Sequence, residues 1–181
     1  MPTIYVVRHC KAEGQAPDAP LTADGVKAAN RLQSFFADKP LDAVISSPYE
    51  RAYRSIAPLA HSRGLSIRVD ERLKERVLSG DSSPDWRDRL RKTYDDLDIC
   101  YEGGESSREA MKRAVGVVEE CLQSGCSHML LVSHGNLISL LLRHFDPLFG
   151  YKEWEALTNP DVYELCISDG AATVRRIWSE G

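Results

Sequence analysis

The 181-residue chain reads as an α/β domain with three layers: a mainly parallel sheet, helices on both faces, a small helical cap and an antiparallel hairpin at the C-terminus. Three observations carry that expectation. Strand-like stretches alternate with helix-length amphipathic stretches over most of the chain. Two of the strands, Thr3-Ile4-Tyr5-Val6-Val7 and Met129-Leu130-Leu131-Val132, are apolar without polar alternation, the pattern of a strand covered on both sides. Asp169-Gly170, set between strand-like residues 162–167 and 173–177, is a hairpin turn signal.

Taken in order, the first strand is followed by a loop over residues 9–21, rich in Ala, Pro and Gly. Thr22 then caps a helix, with Asp24 in its positive first turn and Val26, Ala29, Leu32, Phe35 and Phe36 forming an apolar face. Residues 41–45 form a second strand. Ser47-Pro48 opens a helix, Ser47 as cap, that runs to about Arg63 and closes at Gly64. Residues 65–69 alternate as a third strand. A composition shift at about residues 80–104 marks the cap, whose Trp86, Leu90, Tyr94 and Leu97 fall at helical spacing. Ser106-Ser107-Arg108-Glu109 is a capping box, opening a helix that turns Met111, Val115, Val118 and Leu122 to the core. The second apolar strand runs directly into His134-Gly135-Asn136 and an apolar helix over residues 137–145.

Composition bounds the function. With 43% hydrophobic and 28% charged residues, the chain is expected to form one globular domain over residues 1–181, the cap included. The 23 Lys plus Arg against 27 Asp plus Glu leave a net charge of −4, which argues against a nucleic-acid partner. The longest apolar run, 137–142, is too short for a membrane span. Met1-Pro2-Thr3 leads straight into a strand with no leader pattern, and the five cysteines show no C-x-x-C spacing. Reduced thiols, a cytoplasmic setting and no metal or cofactor are the expectation; oligomeric state is not assigned.

In such folds ligands bind beyond the carboxyl ends of the strands. There the first strand delivers Arg8 and His9, the second leads to Arg51 one turn into its helix, the third leads to Glu75, and the fourth delivers His134 and Gly135 at a helix start. Taken singly, Arg51 could pair with Glu50 or Glu71, and Glu75 could be a solvated charge. Converging on one rim, two histidines, two arginines and a carboxylate point to an anion. Guanidinium forks and helix N-termini suit phosphate oxygens. A neutral imidazole beside them can attack phosphorus, and a carboxylic acid can supply the leaving alkoxide with its proton.

Arg8-His9-Cys10, Leu21-Thr22-x-x-Gly25, Ser46-Ser47-Pro48-x-x-Arg51-Ala52, Leu73-Lys74-Glu75-Arg76, Gly104-Glu105-Ser106 and Ser133-His134-Gly135-Asn136 occur in that order over roughly residues 3–142. The set resembles the histidine phosphatase superfamily, also called phosphoglycerate mutase-like, on its phosphatase branch. The resemblance implies His9 as the phosphorylated nucleophile, and Arg8, Arg51 and His134 as a phosphate pocket. It implies Glu75 as proton donor and then base, and Gln15 at the place of an asparagine that touches phosphate in many members. It implies no metal and, for the compact cap, hydrolysis of a small phosphorylated metabolite; phosphoglycerate mutase-type transfer and a non-catalytic phosphate-binding scaffold are the alternatives.

The chain departs from the family pattern at three places. Cys10 replaces a glycine, either as a small buried residue or as a low-pKa, oxidisable thiol beside Arg8 and His9. Gly80 follows Glu75 by five residues instead of four, which makes Glu71 and Asp81 rival acids. Ala28 stands where a glutamine is common. In the cap, Arg87, Arg91 and Lys92 form either a second anion site or a solvated face balanced by Asp88, Asp95 and Asp96.

Overall fold

The computed structural model describes residues 1–179. Its elements are β1 (Thr3–Arg8), α1 (Ala23–Phe35), β2 (Ala43–Ser46), α2 (Glu50–Ser62), β3 (Ile67–Val69), α3 (Trp86–Asp95), α4 (Ser107–Gln123), β4 (His128–Ser133), α5 (Gly135–Phe145), α6 (Tyr151–Glu155), β5 (Asp161–Ser168) and β6 (Ala171–Arg176). The sheet order is β3-β2-β4-β1-β5-β6. The pairs β3/β2, β2/β4 and β4/β1 are parallel, whereas β1/β5 and β5/β6 are antiparallel. The expected C-terminal hairpin is therefore an extension of the sheet beyond β1, turned at Asp169 and Gly170, both at positive φ (46° and 80°).

Successive residues of the unbroken apolar strands go to opposite faces, as the pleat requires. Tyr5, Val7, Leu130 and Val132 pack under α1 and α2 with Ala29, Leu32, Ile56 and Leu59. Ile4, Val6, Met129 and Leu131 pack under α4 and α5 with Val118, Leu137 and Leu141. These two cores make the three layers. The cap is seated on the second core: Leu90 and Tyr94 of α3 belong to it, as do Met111, Val115 and Val118 of α4. The capping box forms as expected, with Ser106 Oγ accepting from Glu109 N and the Glu109 carboxylate from Ser106 N.

Four local expectations need correction. Val26 of α1 is 52% exposed; the buried side of that helix is Gly25, Ala28, Ala29 and Leu32. The cause is Gly25, where a Cβ would lie 2.1 Å from the Lys11 carbonyl oxygen, so that the small-residue face approaches the loop and Val26 is rotated outward. The third strand is three residues long, because the Leu65 N–H is already given to Ala60 O at the exit of α2. The helix after β2 begins at Glu50 with Tyr49 as its N-cap, two residues later than expected, and Ser47 Oγ accepts the Tyr49 N–H just ahead of it. Helix α6 was not foreseen: five residues give no readable periodicity, and its start is held by the Glu153 carboxylate accepting from Gly150 N. Among the described residues no helix is long and apolar enough to cross a membrane.

Candidate active site

Arg8 pairs with Ser133, and Ser46 with Val132, so β1, β2 and β4 end nearly level. The residues just beyond them, His9, Ser47 and His134, consequently meet. The His9 and His134 rings lie 5.1 Å apart, edge to face, and both side chains are buried.

The surroundings of His9 determine its proton. Its Nδ1 donates to the Cys10 carbonyl at 2.7 Å, which leaves Nε2 unprotonated and able to accept. Arg51 Nε donates to that Nε2 at 3.3 Å. Burial first, and the nearby Arg51 and Arg8 charges after it, hold the imidazole down to about pKa 4, although the Cys10 hydrogen bond acts the other way. His9 is therefore neutral at pH 7. Asn159 Nδ2 donates to the His9 carbonyl at 3.0 Å and steadies its backbone.

His134 is also pushed well below the usual histidine range, mainly by burial and then by His9, Arg51 and Arg8. Its Nε2 lies 2.8 Å from Ser47 Oγ, and that oxygen already accepts the Tyr49 N–H. Among the described residues Nε2 is the one acceptor that the Ser47 hydroxyl hydrogen meets, which assigns the ring N–H to Nδ1. That Nδ1 is buried with no partner, and so is Arg8 Nε. Two unsatisfied buried donors on one sheet edge are costly in an empty protein and fit an anion.

The arginines are set by backbone. Arg51, 2% exposed, meets neither Glu50 nor Glu71; its Nη1 donates to the carbonyls of Gln15 and Ala16 at 3.2 and 3.0 Å. Arg8 Nη1 donates to Leu157 O at 3.2 Å. The Arg8 guanidinium lies over Gly135 at the start of α5, where a Cβ would come within 2.9 Å of Cζ, Nε and Nη2. The absent side chain is what lets a cation sit there.

Glu75 reaches the same place from the loop after β3. Its carboxylate accepts the N–H groups of Arg76, Asn136 and Leu137 at 2.8, 3.1 and 2.9 Å, closing the N-terminus of α5. Its rivals lie elsewhere: Glu71 is exposed and pairs with Lys74, and Asp81 is exposed and pairs with Arg89. Arg8, Gln15 and Glu75 line a cavity of about 430 Å³ together with Arg76, Leu78, Trp86, Leu90, Asn136 and Trp154. Gln15 is thus brought to the site, and its carbonyl also braces Arg51.

Of the two readings of Cys10, the structure supports the small buried residue. It is fully buried in the core under α1 and α2, and burial pushes its thiol up to about 11, the opposite of an activated thiolate. Its N–H donates to Ser55 Oγ, whose hydroxyl donates to Arg51 O. Ser55 and Asn159 were missed in the sequence as supports of the site. Ser47 lay in the motif just beyond the second strand, without an assigned role; Ser55 carried a signal, four residues after Arg51 on the same helix face. Arg87 is ion-paired with Glu155, and Arg91 lies over the Tyr151 ring, so neither stands free as the second anion site.

A model of the histidine phosphatase superfamily, branch 1, matches residues 4–179. A Hydrogenobacter thermophilus protein with the provisional name phosphoserine phosphatase 2 is 27% identical over 158 residues, covering 78% of this chain and 77% of its own. A Shigella dysenteriae protein named a probable phosphoglycerate mutase is 28% identical over 170 residues, covering 83% and 76%. Among solved structures, a mycobacterial glucosyl-3-phosphoglycerate phosphatase in complex with VO3 superposes with a TM-score of 0.78 at 25% identity, over 98% of each chain. With its sheet, its ordered motifs and a family match that spans nearly all of its length, this chain belongs to the histidine phosphatase superfamily.

Proposed function

We propose that the chain is a phosphomonoester hydrolase that works through a phosphohistidine on His9, without a metal ion or cofactor, on a small phosphorylated metabolite. The observation that carries this reading is the His9 Nε2 lone pair, on a neutral ring, facing the Arg51 guanidinium beside two unpartnered donors, Arg8 Nε and His134 Nδ1. The phosphoryl oxygens are held by Arg8, Arg51, His134 and the N-terminus of α5 at Gly135, with Gln15 at the edge. An ion pair at 4 Å is worth ~4 kcal/mol at an effective dielectric of 20, before desolvation, so the two arginines dominate binding.

In the first step the Nε2 lone pair forms the N–P bond as the ester P–O bond breaks, and the protonated Glu75 carboxyl gives its proton to the leaving alkoxide. In the second, water attacks phosphorus and loses a proton to the Glu75 carboxylate. The N–P bond then breaks, and neutral His9 and inorganic phosphate are left. His134 stabilises the charge that gathers on the equatorial oxygens. Hydrolysis is preferred to transfer between phosphoglycerates because the cap over the cavity, the segment around α3, is short, whereas a mutase must exclude water while its intermediate reorients.

Incubation with an aryl phosphate tests the reading: phosphate release and an acid-labile phosphoprotein are expected, both unaffected by a chelator and without exchange between phosphoglycerates. Absence of both release and label overturns it. Glu75→Gln is expected to slow alkyl phosphates by ~10²–10³-fold and activated aryl phosphates by less than about tenfold; equal slowing shows that Glu75 is not the proton donor. Gly135→Ala is expected to preserve the fold, since only a side-chain end must move, while displacing the Arg8 guanidinium and weakening inhibition by phosphate about tenfold or more. An unchanged inhibition constant removes Gly135 from the pocket.

A further inference from the structure

We propose, resting on the hydrolase reading above, that the leaving-group side of the cavity is a subsite for a flat, uncharged apolar group. The substrates would then be phosphate esters of ring-bearing alcohols, not esters that carry a second anion. The cavity lining is of two kinds: Arg8, Gln15, Glu75, Arg76 and Asn136 are polar, and Leu78, Trp86, Leu90 and Trp154 are apolar. Trp86 starts α3 and Trp154 belongs to α6, two segments nearly seventy residues apart; their rings meet edge to face at 6.4 Å and 85°. Trp86 is 45% exposed, a large apolar surface left in water at the rim of a cavity.

The arginines around the two indoles are engaged with other groups. Arg76, 5% exposed, gives Nε and Nη2 to the Glu105 carbonyl and Nη1 to Ser107 Oγ and Asn136 Oδ1. Arg87 lies over the Trp86 and Trp154 rings at 5.1 and 5.7 Å and bonds Glu155 Oε2 at 3.0 Å. Arg89 pairs with Asp81 and Asp85, and Arg91 covers the Tyr151 ring. None of Arg87, Arg89 and Arg91 lines the cavity. Asp81 lines an adjoining cavity that shares Arg76, Leu78 and Trp86 with this one. A carboxylate or second phosphate on the leaving group would find these arginines already engaged and an acid nearby. A ring would gain contact with two indoles and two leucines.

The test uses primary alkyl esters throughout, so that leaving-group basicity stays comparable: 2-naphthylmethyl phosphate, ethyl phosphate, 3-phosphoglycerate and phosphoserine. The expected kcat/KM for 2-naphthylmethyl phosphate exceeds that of either anionic ester by about thirtyfold or more, mostly through KM. Trp86→Ala is expected to lower the ratio of naphthylmethyl to ethyl ester turnover about tenfold, and Trp86→Phe to restore most of it. Preference for 3-phosphoglycerate or phosphoserine, or a ratio that Trp86→Ala does not move, overturns the subsite. If no ester is turned over, the hydrolase reading fails by itself. The subsite is then judged by binding of 2-naphthylmethylphosphonate, followed by tryptophan fluorescence: affinity lost in Trp86→Ala supports it, and no binding or unchanged affinity overturns it.

Discussion

Replacing His9 with alanine is expected to lower turnover of any phosphomonoester by about 10⁴-fold or more, because removing a covalent nucleophile removes the pathway and not merely one contact to it. The phosphoprotein label should vanish with it. The fold should survive: the ring sits at the end of β1, outside both apolar cores, and the two residues it bonds are anchored elsewhere, Cys10 through its N–H to Ser55 and Arg51 through Nη1 to Ala16 O. Circular dichroism and phosphate binding together separate the outcomes. A folded variant that still hydrolyses esters at more than a hundredth of the parent rate (two orders above the loss expected for a nucleophile) would remove His9 from the chemistry.

The second large effect is on stability in acid. His9 is neutral in the folded protein down to about pH 4, whereas in the unfolded chain it takes up its proton near 6.5. Between those limits the unfolded state binds more protons, so stability falls as the pH falls. A shift of that size corresponds to about 3 kcal/mol lost between pH 7 and pH 4 through His9 alone, and His134 acts in the same direction. Denaturant titrations at pH 7 and pH 4.5 on the parent and on His9→Ala measure it: the parent should lose clearly more. Equal losses would mean that His9 already carries its proton in the folded state.

Most of the rim was legible because the code that places it is simple. An apolar run without alternation means a central strand, and the residues immediately beyond it must lie at the sheet edge; Arg8, His9 and His134 follow from that alone. Arg51 follows from one turn of helix. What the sequence concealed came from long range. Leu157 O and Asn159, partners of Arg8 and His9, lie about 150 residues away in the chain. They arrive only because β5 runs antiparallel to β1 with Asp161 opposite Arg8, so the segment before β5 crosses the mouth of the site. Nothing in residues 157–161 announces that pairing. Ser47 stands at the helix opening as Ser-Pro suggests, but the regular helix starts only at Glu50, and the other demand on its hydroxyl, from His134, belongs to another strand. The face of α1 was misread because periodicity weighs apolar size, while the backbone approach at Gly25 weighs its absence. For Cys10, adjacency to Arg8 and His9 left an activated thiol open as one of two readings, but its side chain is buried in the core under α1 and α2.

The level ends of β1, β2 and β4 have a consequence for how such a protein can change. The alignment of the reacting groups is inherited from two hydrophobic interiors that pin strand register, since a slip by one residue would invert every side chain of a strand. Catalytic precision is therefore stored in the scaffold, and the coverings over the cavity are released from supplying it. Segments such as the one around α3 are then free to drift toward new alcohols over evolutionary time, so that one invariant phosphoryl chemistry can serve many metabolites by resurfacing alone.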